Sequence, residues 1–201
     1  MKIVYYIAIC LLHLYFQREA LSTVPLEKQL CFLTLISLHL NSIYFIYMLL
    51  SGLKLLNRND KNERFAIKFL FSLGFTVTVV FWLMYTFVPH LLMRPNVTIP
   101  LMLNLFIHGG SFLLLFIEIT FVQKRLNCED CNYKTFTIFS AGYGVYLKLI
   151  YMITGFAAYP FVATNIEFVV VLAPGVGFCL LGEVLYNKIL EQNILGAIKW
   201  N

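Results

Sequence analysis

The side chains able to do chemistry lie inside apolar runs of this sequence. Thr34, His39 and Asn41 share one run, Asn104, His108, Ser111 and Glu118 another, and Lys148 and Glu183 follow. Ionisable groups in such surroundings are costly, so they mark function or internal pairing. Asn104, His108, Ser111, Leu115 and Glu118 step by 4, 3, 4 and 3 residues, which aligns them along one helical face. Gly109 and Gly110 follow His108 and allow a neighbouring helix or a substrate to come close. In the earlier run Thr34, Leu38 and Asn41 share a stripe. His39 stands roughly 140° around the helix from Thr34, badly placed to assist it. A hydroxyl and an imidazole are the minimum for nucleophilic attack on a carbonyl: the histidine takes the proton and the oxygen attacks.

The elements that must position these residues are membrane-spanning helices. Of 201 residues, 60% are hydrophobic and 12% charged. Soluble domains have roughly 45–50% and about 25%. A spanning helix needs about 20 mostly apolar residues. Such runs occur at 3–17, 30–52, 66–88, 98–122, 136–159 and 166–187, which predicts one all-α, six-helix transmembrane domain over 1–201.

Basic residues give the orientation. With the N-terminus cytoplasmic, the inner segments hold Lys2, Lys54, Arg58, Lys61, Arg64, Lys68, Lys124, Arg125, Lys134, Lys188 and Lys199. The outer loops hold Arg18, Lys28 and Arg94. This asymmetry requires an even number of spans and places both termini inside. It also explains the net charge of +5 without nucleic acid as a partner. The short first run after Met1-Lys2 resembles a signal peptide, but its aromatic residues and Gln17-Arg18-Glu19 fit a retained span better.

Cys10, Cys31 and Cys179 sit in apolar runs, as small hydrophobes do. Cys128 and Cys131 form a CxxC with no second ligand pair, so neither a metal nor another cofactor is expected. The sequon Asn96-Val97-Thr98 falls on the outer side, beside the membrane.

At about 1.5 Å per residue from the inner ends of their spans, Thr34 stands roughly 27 Å up, His108 roughly 21 Å and Asn41 roughly 16 Å. Thr34 and His108 thus share the outer half of the bilayer. Ordinary roles compete with catalysis for each residue. A membrane threonine usually bonds the carbonyl four residues back, and a lone histidine more often donates to a neighbouring helix. Glu118 and Glu183, near the inner ends of their spans, could pair with Lys124 and Lys188. Lys148 lies near mid-span, facing the interior, with a stem long enough to snorkel. Pattern alone stops at a membrane protein with a polar interior.

Four segments carry a family resemblance. Glu27-Lys28-Gln29-Leu30-Cys31-Phe32-Leu33-Thr34 is similar to a stretch ending in Tyr/Phe-Leu-Thr in the androgen-induced gene 1 family, which includes the androgen-dependent TFPI-regulating protein. Pro100-Leu101-Met102-Leu103-Asn104-Leu105-Phe106-Ile107-His108 resembles the family's Leu-Asn-His-x-x-His region, with Glu118 at a following Ile-Glu. Ile153-Thr154-Gly155-Phe156-Ala157-Ala158-Tyr159-Pro160-Phe161 resembles its Val-Thr-Gly-x-x-x-Tyr-Pro-Phe. Leu181-Gly182-Glu183-Val184-Leu185-Tyr186-Asn187 resembles its closing Leu-Gly-Glu motif. Order and spacing agree over roughly residues 25 to 190.

The resemblance implies a six-span hydrolase of fatty acid esters of hydroxy fatty acids, with Thr34 as nucleophile and His108 as base. Its partners would be membrane lipids and a lipid ester, and its site the cell membrane or the endoplasmic reticulum membrane. Asn41 and Asn104 are candidates for polarising the ester carbonyl. Leu105 replaces the family's first His, Gly109 a usual Thr, and Ser37 an expected Asn. Two rival readings are a non-enzymatic regulator and a small transporter or channel lined by Asn104, His108, Glu118 and Lys148.

Overall fold

The computed structural model describes residues 2–92, 99–122, 134–164 and 175–189, and all of its regular structure is helical. Six long helices occur among these residues: α1 (Lys2–Thr23), α2 (Leu33–Gly52), α3 (Asp60–Phe87), α4 (Leu101–Val122), α5 (Lys134–Thr154) and α6 (175–189). Of these, α2, α3 and α4 are long and apolar enough to cross a membrane. The sequon, the CxxC pair, Lys124 and the start of the expected sixth span lie outside the described residues.

Local chemistry sets the helix ends. The Asn59 side chain accepts from the Asn62 N–H and caps α3. Arg58 folds back onto Glu63 with two hydrogen bonds of 2.6 and 2.7 Å, and that contact raises the Arg58 pKa. α1 continues past the expected residue 17 to Thr23, because Gln17-Arg18-Glu19 sustains the helix until Val24-Pro25 ends it. α5 stops at Thr154 rather than 159. Gly155 takes the left-handed conformation (φ 68°) and turns the chain back, a glycine stop inside a run whose hydrophobicity continues.

Three apolar clusters hold the helices together. One gathers Tyr6, Phe45, Ile67, Phe71, Leu115 and Tyr186 from α1, α2, α3, α4 and α6. A second packs Phe16, Ala20 and Leu38 on Leu103 and Phe106. Its Phe16 and Phe106 rings stack at 4.0 Å. The third brings Met84 and Leu147 against Ala157, Phe161 and Val162 of the segment after α5. Gly182 lets α6 approach α3: a Cβ there would lie 3.0 Å from the Ser72 Cα.

The buried ionisable groups of this bundle have polar partners. Lys68 and Glu183 meet at 2.8 Å, and the Tyr6 hydroxyl donates to Glu118 at 2.8 Å. The expected partners were Lys124 for Glu118 and Lys188 for Glu183: Lys124 lies outside the described residues, and Glu183 meets Lys68 of α3 rather than Lys188 of its own helix. Lys148 bonds the carbonyl oxygen of Val162 at 3.1 Å and lies over the Tyr151 ring. It therefore ties the returning segment down onto α5.

Candidate active site

α2 and α4 are neighbours, joined by a 2.6 Å hydrogen bond from Asn41 to Ser111. The polar stripe of α4 faces inward as its spacing predicts: Asn104, His108, Ser111, Leu115 and Glu118 are all buried. The helix carrying it is not a uniform α-helix. Phe106–Gly110 and Glu118–Val122 are π-helical turns, and they contain His108 and Glu118 respectively. Such turns insert one residue into the helix and often occur at functional sites. The Trp82 indole donates to the His108 carbonyl at 3.1 Å, taking up an acceptor inside the first π turn.

The His108 ring is fixed on two sides. It stacks on Phe81 with centroids 3.3 Å apart, and its Nδ1 lies 2.9 Å from the carbonyl oxygen of Asn104. A carbonyl can only accept, so Nδ1 carries the proton and Nε2 keeps the lone pair of a base.

Thr34 is the second residue of α2. Thr23, Thr76, Thr78, Thr86, Thr120 and Thr154 each return their hydroxyl to the carbonyl four residues back. Thr34 makes no such bond and instead approaches the Tyr159 oxygen. The linker before it is held by Gln29, which donates to Val24 O at 2.9 Å and accepts from His39 at 2.8 Å. His39 thus serves this linker and does not line the cavity at Thr34.

Thr34 and His108 line one cavity of about 240 Å³. All six helices contribute to its wall, which is mainly apolar: Leu73, Val77, Val80, Met84, Leu103, Ile107, Leu147 and Val176 surround it. Its polar groups are Thr23, Thr34, Tyr143 and Tyr159 near the start of α2, His108, and Thr76, Ser140 and Cys179 across the bundle. Asn41 and Asn104 do not line it: Asn41 is turned to Ser111, and Asn104 supplies its backbone carbonyl to His108. Glu118, Lys148 and Glu183 are also absent from the wall and make the contacts described above. Among the described residues no three His, Cys, Asp or Glu side chains converge as a metal site.

The sequence reading missed two features. His13, in the short first run, bonds Ser42 at 3.0 Å, and Gln17 donates to the same hydroxyl. This second histidine–hydroxyl pair borders no part of the cavity. Tyr159 stood within a quoted motif but had no assigned role.

A family model described as FAR-17a/AIG1-like protein matches residues 1–190. The chain belongs to the FAR-17a/AIG1-like family. That agrees with the resemblance carried by the four segments. No curated protein and no solved structure matches it. In this family member Thr34, His108 and Tyr159, each from a different one of those segments, border the same cavity.

Proposed function

We propose that this FAR-17a/AIG1-like protein is an integral membrane threonine hydrolase. It crosses the bilayer six times with both termini cytoplasmic, in the cell membrane or the endoplasmic reticulum membrane. Its substrates are fatty acid esters of hydroxy fatty acids. Thr34 attacks the ester carbonyl while His108 Nε2 takes its proton. The tetrahedral intermediate then collapses with loss of the hydroxy fatty acid, to which His108 returns the proton. Water, activated by the same nitrogen, releases the fatty acid from Thr34. Membrane lipid supplies the substrate laterally, and the apolar wall holds the acyl chain beside the two polar groups.

The observation that carries this reading is one apolar cavity bordered by both a threonine free of the usual backbone bond and a histidine whose tautomer leaves Nε2 basic. A transport path through Asn104, His108, Glu118 and Lys148 has less support, since of the four only His108 borders the cavity. A purely regulatory role leaves the cavity and the held imidazole without a use.

The test is hydrolysis of a defined fatty acid ester of a hydroxy fatty acid by protein in lipid nanodiscs. Wild type should release both products, while Thr34→Ala should release neither and still insert normally. Turnover by Thr34→Ala at the wild-type rate would sink the reading. Retention of a cellular effect by that variant would favour the regulator.

A further inference from the structure

Attack on an ester places a negative charge on the former carbonyl oxygen, and a hydrolase needs a donor aimed at that atom. Asn41 and Asn104 do not border the cavity. His108 is occupied as the base. Of the cavity hydroxyls, Thr23 donates to Glu19 O, Thr76 to Ser72 O and Tyr143 to Cys31 O, while Ser140 contacts Cys179 across the bundle. Tyr159 differs from all of them. Its oxygen accepts the Leu33 N–H at 3.0 Å, and the Thr34 side chain and the Tyr143 hydroxyl also approach it. With the Tyr143 proton committed to Cys31 O and the Leu33 N–H accepted, the Tyr159 proton is turned toward the Tyr143 and Thr34 oxygens beside it.

The fold holds this phenol firmly. Gly155 reverses the chain after α5, and Lys148 ties down Val162. The Tyr159 ring stacks on Phe161 at 5.2 Å and meets Phe32 edge-on at 5.6 Å. Accepting from Leu33 polarises the O–H and strengthens it as a donor. The site it serves is the residue next along the chain, Thr34. A donor beside the nucleophilic oxygen is also beside the oxygen of any carbonyl that nucleophile attacks.

We propose that Tyr159 is a catalytic residue that donates its phenolic hydrogen bond to the oxyanion formed when Thr34 adds to the ester. The Thr34 Oγ–carbon bond forms, and the carbonyl π pair moves onto oxygen. The Thr34 proton passes to His108 Nε2. Tyr159 stabilises the charged oxygen without losing its own proton. When the pair returns, the bond to the hydroxy fatty acid oxygen breaks and His108 protonates the leaving group. This role rests on the threonine-hydrolase reading.

The test uses full-length Tyr159→Phe in nanodiscs, which keeps the stacking and edge contacts of the ring. kcat should fall roughly 10²-fold, the usual effect of losing one such donor, with KM nearly unchanged. A long-chain alkyl trifluoromethyl ketone, to which Thr34 adds as a hemiketal oxyanion, should lose affinity by a similar factor. Unchanged kcat, or equal losses in KM and in ketone affinity, would overturn the role of Tyr159. Should Tyr159→Phe fail to fold, a ring-fluorinated tyrosine at 159 keeps both hydrogen bonds but ionises at lower pH. Its activity should then fall with rising pH sooner than that of wild type, and an unshifted profile would overturn the role. Activity of Thr34→Ala in the same assay would instead remove the dyad beneath it, so the two failures are distinguishable.

Discussion

The Nδ1–H of His108 donates to the carbonyl oxygen of Asn104, one turn back on the same helix, at 2.9 Å. The bond does for this imidazole what a buried carboxylate does in a Ser-His-Asp triad: it holds the ring and selects the tautomer, though without adding a charge. His108→Gln can keep the contact with Asn104 and part of the packing on Phe81, but it has no basic nitrogen. Hydrolysis should fall about 10²–10⁴-fold with an unchanged melting temperature. Near-normal hydrolysis in the nanodisc assay would show that His108 is not the base.

Lys148 acts at a distance from the chemistry. Lys148→Met removes the charged donor to Val162 O and should cost about 1.5–3 kcal/mol. Hydrogen exchange at Phe161 and Val162 should quicken, and hydrolysis should fall because Tyr159 is carried on the same segment. Unchanged exchange in the variant would show that the segment is anchored by something else.

The Lys68–Glu183 pair should be costly to break and inexpensive to replace. Both residues are buried, and their charged atoms lie 2.8 Å apart. Lys68→Met alone strands a buried carboxylate and should destabilise by about 3–5 kcal/mol. Lys68→Met with Glu183→Met should recover most of that loss. Thermal or denaturant unfolding in detergent reads both, and a double variant as unstable as the single would contradict this account.

Gly110 has little room to grow. A Cβ there would lie 2.8 Å from the Phe106 ring, which is stacked on Phe16 and meets the His13 edge at 5.3 Å. Gly110→Ala should therefore cost about 1–3 kcal/mol and disturb the π turn that carries His108. Melting temperature and hydrolysis should fall together; a drop in neither would mean that the ring moves freely.

Much of the helical order was legible because hydropathy and helix period are local properties. The inward stripe from Asn104 to Glu118 and the α2–α4 neighbour relation follow from spacing, and His39 was separable from Thr34 by angle alone. The π turns were not legible. Gly109-Gly110 was a local sign of the first alone, while the Trp82 bond to the His108 carbonyl comes from another helix. The end of α5 at Gly155 was masked by Phe156–Tyr159, whose apolar side chains pack on the bundle rather than prolong the helix. The pairing of Glu183 with Lys68 joins residues far apart in the chain, so nearest-neighbour reasoning chose Lys188. Tyr159 had a motif position but no role until the returning segment placed it over the start of α2.

The central claim is that Thr34 is an activated nucleophile. Its most direct test is to expose the protein in membranes to an alkyl fluorophosphonate and map the adduct by peptide mass spectrometry. The adduct should form on Thr34 and be absent in Thr34→Ala. It should also form much more slowly in His108→Gln, in step with the loss of ester hydrolysis. An adduct on another residue that tracks hydrolysis, with Thr34 unmodified, would contradict the account.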